Sequence, residues 1–177
     1  VRADHPDDWQ TVLQAAQTPP PMSLRVNPLR VSRAAFMTAL AQAGLAAQAF
    51  GDHGVWLTRP VPVTALPGFE QGWVSVQDGA AQLAAPLLAD ALGEMGQGEG
   101  LRVLDACAAP GGKTAHLLEQ LPQAQVQALE IDATRAARID DTLGRLGLHA
   151  DVTVADAAQV EAWWDGEPFD AILLDAP

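Results

Sequence analysis

The sequence is short of cysteine, of basic residues and of long apolar runs, and each shortage narrows what the chain does. Its one cysteine, Cys107, excludes an internal disulfide and suits a reducing compartment, so a cytoplasmic location is expected. Only 10 Lys and Arg stand against 22 Asp and Glu, and the net charge of −12 argues against binding nucleic acid through the whole surface. No apolar stretch approaches the roughly 20 residues of a membrane span. The opening Val1-Arg2-Ala3-Asp4-His5-Pro6 lacks the apolar core of a signal peptide, and it lacks an initiator Met, so a piece of a longer protein is expected. What is present is a globular composition, 49% hydrophobic and 18% charged over 177 residues, enough for one core with a small appendage.

Charge is distributed unevenly. From Trp9 through Gly51 there is no acid but there are three arginines, Arg25, Arg30 and Arg33, whereas from Glu99 onward 14 acids face 5 bases. This split suggests two modules. In the first, residues 1–76, the pattern predicts a helix from Trp9 to Gln17 and a stiff linker Thr18-Pro19-Pro20-Pro21. A strand follows from Met22 to Leu29, with Leu24 and Val26 on one face and Arg25 and Asn27 on the other. Ser32 is placed to cap a helix from Arg33 to Gln42. Short strands are expected at Val55–Thr58 and Trp73–Val76, making a small α+β unit. Residues 77–100 read as a connecting helix, Gln77–Leu92, and a glycine-rich turn.

Residues 101–177 alternate regularly. Strands at Leu101–Ala106, Val126–Ile131, Val152–Ala155 and Phe169–Asp175 are separated by helices at Gly112–Gln120, Ala133–Leu146 and Ala158–Trp164. Strand–helix alternation implies an α/β fold with a parallel, Rossmann-like sheet. The last strand has no helix after it, which reads as truncation at the fourth strand.

The run from Val103 to Thr114 sets a strand, a glycine turn and a helix start back to back. There Gly111 and Gly112 allow a sharp turn and close backbone approach, and the following helix aims free N–H groups at the same point. Cys-Ala-Ala-Pro-Gly-Gly fails the dinucleotide pattern G-x-G-x-x-G. Gly112-Lys113-Thr114 matches the end of a phosphate-binding P-loop, but its leading glycine falls at Cys107. A nucleoside cofactor without a phosphate chain, such as S-adenosylmethionine, remains. Acids at successive strand ends support it: Glu130, 18 residues after Gly112, is placed to accept from ribose hydroxyls, and Asp156 and Asp175 follow the next two strands. Asp132, Asp140 and Asp141 read as helix-start and surface charges.

The sequence Asp105-Ala-Cys-Ala-Ala-Pro-Gly-Gly-Lys-Thr114, with Glu130-Ile-Asp132, Asp156 and Leu174-Asp-Ala-Pro177, resembles the RNA cytosine-C5 methyltransferases. Pro21–Asn27 and Leu66–Asp78 extend the resemblance to nearly the whole chain, towards the bacterial Sun/Fmu type that acts on 16S ribosomal RNA. The resemblance implies S-adenosylmethionine as cofactor, bound by Cys107, Ala108, Ala109, Pro110, Gly111, Gly112, Lys113, Glu130, Asp156 and Asp175. Glu130 stands where the bacterial enzymes lead one to expect Asp, and the carboxylate is kept. The resemblance also implies RNA as partner and a thiolate that adds to C6 of cytosine so that C5 takes the methyl group. That cysteine is expected after Pro177, which leaves no catalytic residue in this chain and predicts an inactive fragment; Cys107 is expected to serve the cofactor loop. It raises the case for Arg25, Arg30 and Arg33 as phosphate contacts, and the target base must leave any paired stack. A transfer RNA cytosine-C5 methyltransferase and a non-catalytic RNA-binding protein are the alternatives. Trp73, Trp163 and Trp164 read as packing residues, and the spacing of His53, His116 and His149 predicts no metal site.

Overall fold

The computed structural model describes residues 1–17, 21–98 and 100–176; most of the expected linker, Thr18 to Pro20, and the closing Pro177 lie outside the described residues. After α1 (Trp9–Ala16), the front of the chain forms an antiparallel sheet of β1 (Met22–Val26), β2 (Ala47–Phe50), β3 (Gly54–Leu57) and β4 (Val74–Val76), in the order β2-β3-β1-β4. Helix α2 (Arg33–Gln42) covers one face, with Phe36 and Leu40 packed on Leu24, Val26, Val55 and Leu57. Its start is set by Ser32, whose hydroxyl accepts the Ala35 N–H at 3.2 Å. Strand β2 was not expected. Ala47-Gln48-Ala49-Phe50 has no β-branched residue, and its pairing with β3 imposes the conformation that propensity does not.

The connecting segment is less helical than its pattern suggests. Asp78 accepts the Ala80 N–H in a turn, Ala81–Leu83 form one 3-10 turn, and α3 (Ala84–Leu92) begins only two residues before Pro86, which a helix tolerates in its first turn. A further 3-10 turn, Gly93–Gln97, occupies the glycine-rich stretch. Beyond it β5 (Arg102–Ala106), α4 (Gly112–Gln120), β6 (Gln125–Glu130), α5 (Ala133–Leu146), β7 (Asp151–Val154) and β8 (Ala171–Leu174) alternate. The strands form a parallel sheet in the order β7-β6-β5-β8. The helix expected at Ala158–Trp164 is a single 3-10 turn, Val160–Ala162.

Helices α3, α4 and α5 bury one face of this sheet, with Leu117, Leu121, Ile139 and Leu146 against Val103 and Ala128. On the other face Trp163 and Phe169 pack over Leu104, Ala106 and Leu129, as a packing reading of Trp163 requires, while Ile172 and Leu174 stay exposed. No helix among the described residues is long and apolar enough to cross a membrane.

The two sheets meet through arginines. Arg25, buried at 1% exposure on β1, donates through Nε and Nη2 to both carboxylate oxygens of Glu119 on α4, each at 2.8 Å. Arg30 Nη2 donates to the Leu146 carbonyl at 3.0 Å. Arg33 Nη1 donates to the carbonyls of Phe50 and Gly51 within the front unit. The expectation of a phosphate contact is therefore corrected for Arg25, whose guanidinium is engaged inside the fold; Arg30 is exposed and Arg33 half-buried. At Arg25 the face of β1 opposite its apolar core turns towards α4 rather than to solvent, and Asn27 is buried against Gly72, whose carbonyl accepts from Asn27 Nδ2 at 3.2 Å. From the other side Arg145 on α5 donates to the carbonyls of Phe69 (2.7 Å) and Val74 (3.1 Å), and lies over the Phe69 ring. Gly72 is pressed against this helix, where a Cβ would stand 2.9 Å from the Arg145 carbonyl oxygen.

Candidate cofactor site

The register of the parallel sheet brings the candidate residues to one edge. Ala106 lies opposite both Leu129 and Leu174, so Cys107, Glu130 and Asp175 leave three adjacent strands at the same level. Glu130 is opposite Val154, which puts Asp156 two residues past the end of that pairing. This is the carboxyl edge, where open α/β sheets bind ligands.

The loop from Cys107 to Gly111 is held by its own backbone. The N–H groups of Cys107 and Ala108 both donate to the Leu129 carbonyl, at 3.1 and 2.8 Å. Cys107 takes φ 86°, a conformation that costs a non-glycine residue about 1–3 kcal/mol and persists where surroundings enforce it. The Ala109–Pro110 peptide is cis, and Thr142 on α5 donates its hydroxyl to the Pro110 carbonyl at 2.7 Å. Gly111, at φ 93°, is the N-cap of α4 and lies where a Cβ would be 3.1 Å from Ile139 Cα. Gly112 differs: the space a Cβ would take there is open. The protein's own packing requires glycine at 111 and leaves room in front of 112, beside the free N–H groups of the helix start.

The acids are not equivalent. Glu130 is 3% exposed; its Oε1 accepts the Asp132 N–H at 3.1 Å, while Oε2 is buried with no hydrogen bond among the described residues, 3.4 Å from Arg135 Nη2 in an ion pair. Asp156 is half-buried and caps its own turn, accepting from Ala158 N–H at 3.0 Å and Gln159 Nε2 at 3.5 Å. Exposed Asp175 pairs with Lys113 from the first turn of α4. Asp132 is the N-cap of α5, accepting from Arg135 N–H at 2.9 Å, which pulls its carboxyl below the usual range. Asp140 and Asp141 are exposed.

Two polar residues of this edge went unassigned at the sequence level. Asp105, 1% exposed at the end of β5, accepts the Thr114 hydroxyl at 2.6 Å. Burial pushes its carboxyl up, against the smaller opposing pull of Thr114 and Lys113. The signal was an acid inside the apolar strand Val103-Leu104-Asp105-Ala106. Among the described residues no group of three or more His, Cys, Asp or Glu is arranged to hold a metal.

A parallel sheet carrying a glycine turn, a free helix start and a row of acids on its carboxyl edge defines a Rossmann-like methyltransferase fold. Residues 95–177 match the family model for 16S rRNA methyltransferase RsmB/F, and residues 1–64 match that for the RsmF/B-like ferredoxin-like domain. The chain belongs to this RsmB/F family. It is 48% identical over 180 residues to the ribosomal RNA small subunit methyltransferase B of Pseudomonas syringae pv. tomato, an alignment covering 100% of this chain and 39% of the relative. The chain thus spans about two fifths of the length of the curated relatives it matches. A crystal structure of a methyltransferase homolog protein from Pyrococcus horikoshii superposes with TM-score 0.74 at 25% identity, covering 97% of this chain and 55% of that one. NSun6 from Pyrococcus horikoshii, solved with SFG, shares the fold at TM-score 0.79 and 17% identity, over 97% of this chain and 67% of its own.

Proposed function

We propose that this chain is the cofactor-holding part of an S-adenosylmethionine-dependent enzyme that methylates C5 of a cytosine in small-subunit ribosomal RNA in the cytoplasm. Its working division is a front unit at 1–76, a connector at 77–100 and the cofactor unit at 101–177. The observation that carries the reading is Glu130: a carboxylate oxygen buried with no hydrogen bond among the described residues, at a strand end beside an open glycine turn. An unsatisfied buried acceptor is costly, and a ribose hydroxyl donating to it removes that cost.

The residues present fit the cofactor. Backbone N–H groups at the start of α4 suit an anionic carboxylate tail, Gly112 leaves room for it, and the loop Cys107-Ala108-Ala109-Pro110-Gly111-Gly112-Lys113 forms the wall. Asp156 and Asp175 supply acceptors on either side of Glu130's strand and β5, with Lys113 holding Asp175 in place. Cys107 acts through its backbone, shaping the loop. Bound there, the cofactor supplies an electrophilic methyl group. That the relatives are ribosomal RNA small subunit methyltransferases supports ribosomal RNA as the acceptor.

The test is to incubate the protein carrying this chain with unmodified 16S ribosomal RNA and methyl-labelled S-adenosylmethionine, then digest to nucleosides. Label in 5-methylcytidine is expected; label confined to another nucleoside, or none, contradicts the reading.

A further inference from the structure

We propose that Arg25 of the front unit is a positioning residue for the cofactor loop, so that the front unit sets cofactor affinity as well as whatever it does with RNA. The inference rests on the reading of the Cys107–Lys113 loop as the cofactor's seat. Helix α4 has no side-chain cap at its N-terminus: Gly111 offers none. The direction of its first N–H groups must then be fixed by contacts from elsewhere. Arg25 supplies one. Besides clasping Glu119 through Nε and Nη2, it donates from Nη1 to the Gly112 carbonyl at 3.0 Å and to Gln77 Oε1 at 2.5 Å. Gly112 and Glu119 are seven residues, about two helical turns, apart and lie on one face of α4.

One buried, planar fork therefore grips α4 at its first residue and again two turns later. Its own position is fixed by the central strand of the front sheet, where Arg25 pairs with Gly54 on one side and Ser75 on the other. On the far side of the loop Thr142 holds the Pro110 carbonyl, and beneath it Thr114 is tied to Asp105. Removing the Arg25 grip frees the turn on the side facing the front unit while leaving the other two ties. Lysine keeps the charge near Glu119 but has no fork to reach Gly112, Gln77 and Glu119 together.

The experiment compares wild type, Arg25→Lys and Arg145→Lys by hydrogen exchange across residues 107–115 and by calorimetric titration with S-adenosylhomocysteine. Arg145→Lys weakens the same interface away from the loop and serves as the control for stability alone. Expected for Arg25→Lys are exchange at 107–115 and a dissociation constant each raised roughly tenfold, with both near wild type in Arg145→Lys. Should Arg25→Lys fail to fold, Arg25→Gln/Glu119→Gln, which removes both buried charges, reads the same two quantities with the same expectation. Wild-type binding with unchanged exchange and affinity in the Arg25 variant overturns its role alone. A wild type that binds no S-adenosylhomocysteine overturns the cofactor reading of the loop and, with it, the link to affinity.

Discussion

Thr114 donates its hydroxyl to Asp105 at 2.6 Å, joining the first turn of α4 to the last turn of strand beneath it in a wholly buried contact. The hydroxyl offsets part of the cost of a carboxylate in that position, yet burial still dominates and holds the Asp105 carboxyl above 3.8. A folded-state value above the unfolded one means stability that is fully present below the unfolded value and lost as pH rises through the folded one.

Asp105→Asn keeps an acceptor for Thr114 and removes the buried charge. The variant is expected to melt higher than wild type at pH 7, by an amount that shrinks towards zero as pH falls below 3.8. A difference independent of pH in thermal unfolding would contradict this.

His116, on α4 beside Arg25, is 2% exposed, and its Nδ1 has no hydrogen-bond partner among the described residues. Burial first, then the charges of Arg25 and His53, lower it from 6.5 to about 3. The unfolded chain therefore takes up a proton that the folded one refuses, and stability is lost progressively as pH falls from 6.5 to about 3. This runs opposite to Asp105. In His116→Met, denaturant midpoints should depend less on pH across that window; an equally steep acid limb would clear His116 of the effect.

The paired glycines separate fold from site. Gly111→Ala meets a positive φ and the Ile139 backbone, and should cost about 1–3 kcal/mol in urea unfolding. Gly112→Ala meets open space, so stability should change by less than about 1 kcal/mol while S-adenosylhomocysteine binds more weakly. Equal affinity in Gly112→Ala would remove the cofactor from that position.

Arg145→Lys tests the interface itself. Lysine loses the fork that reaches two carbonyls and Ser75 and the stacking over Phe69. A loss of about 1.5–3 kcal/mol is expected, read from equilibrium unfolding; no loss would show that the contact is idle.

Helices α2, α4 and α5 were legible to the residue because their ends carry local chemistry: Ser32 and Asp132 accept backbone N–H groups, and Gly111 supplies the left-handed turn. The acids at 130, 156 and 175 were likewise expected at strand ends and stand there. What escaped depends on neighbours distant in sequence. Ala47–Phe50 is extended because β3 pairs with it, and Arg25 is buried because α4 covers the face that alternation left polar. No local pattern distinguishes an arginine bound for Glu119, 94 residues away, from one bound for phosphate. Equally, spacing located Glu130 but not the carboxylate oxygen that lacks a hydrogen bond among the described residues, which emerges only when Asp132 and Arg135 are in place around it.

The most direct test is calorimetric titration of S-adenosylhomocysteine into wild type and Glu130→Ala, with thermal unfolding of both. Binding weaker by roughly tenfold or more is expected, the worth of a charge-assisted hydrogen bond, in a variant that still unfolds cooperatively. Unchanged affinity in a folded variant would contradict it.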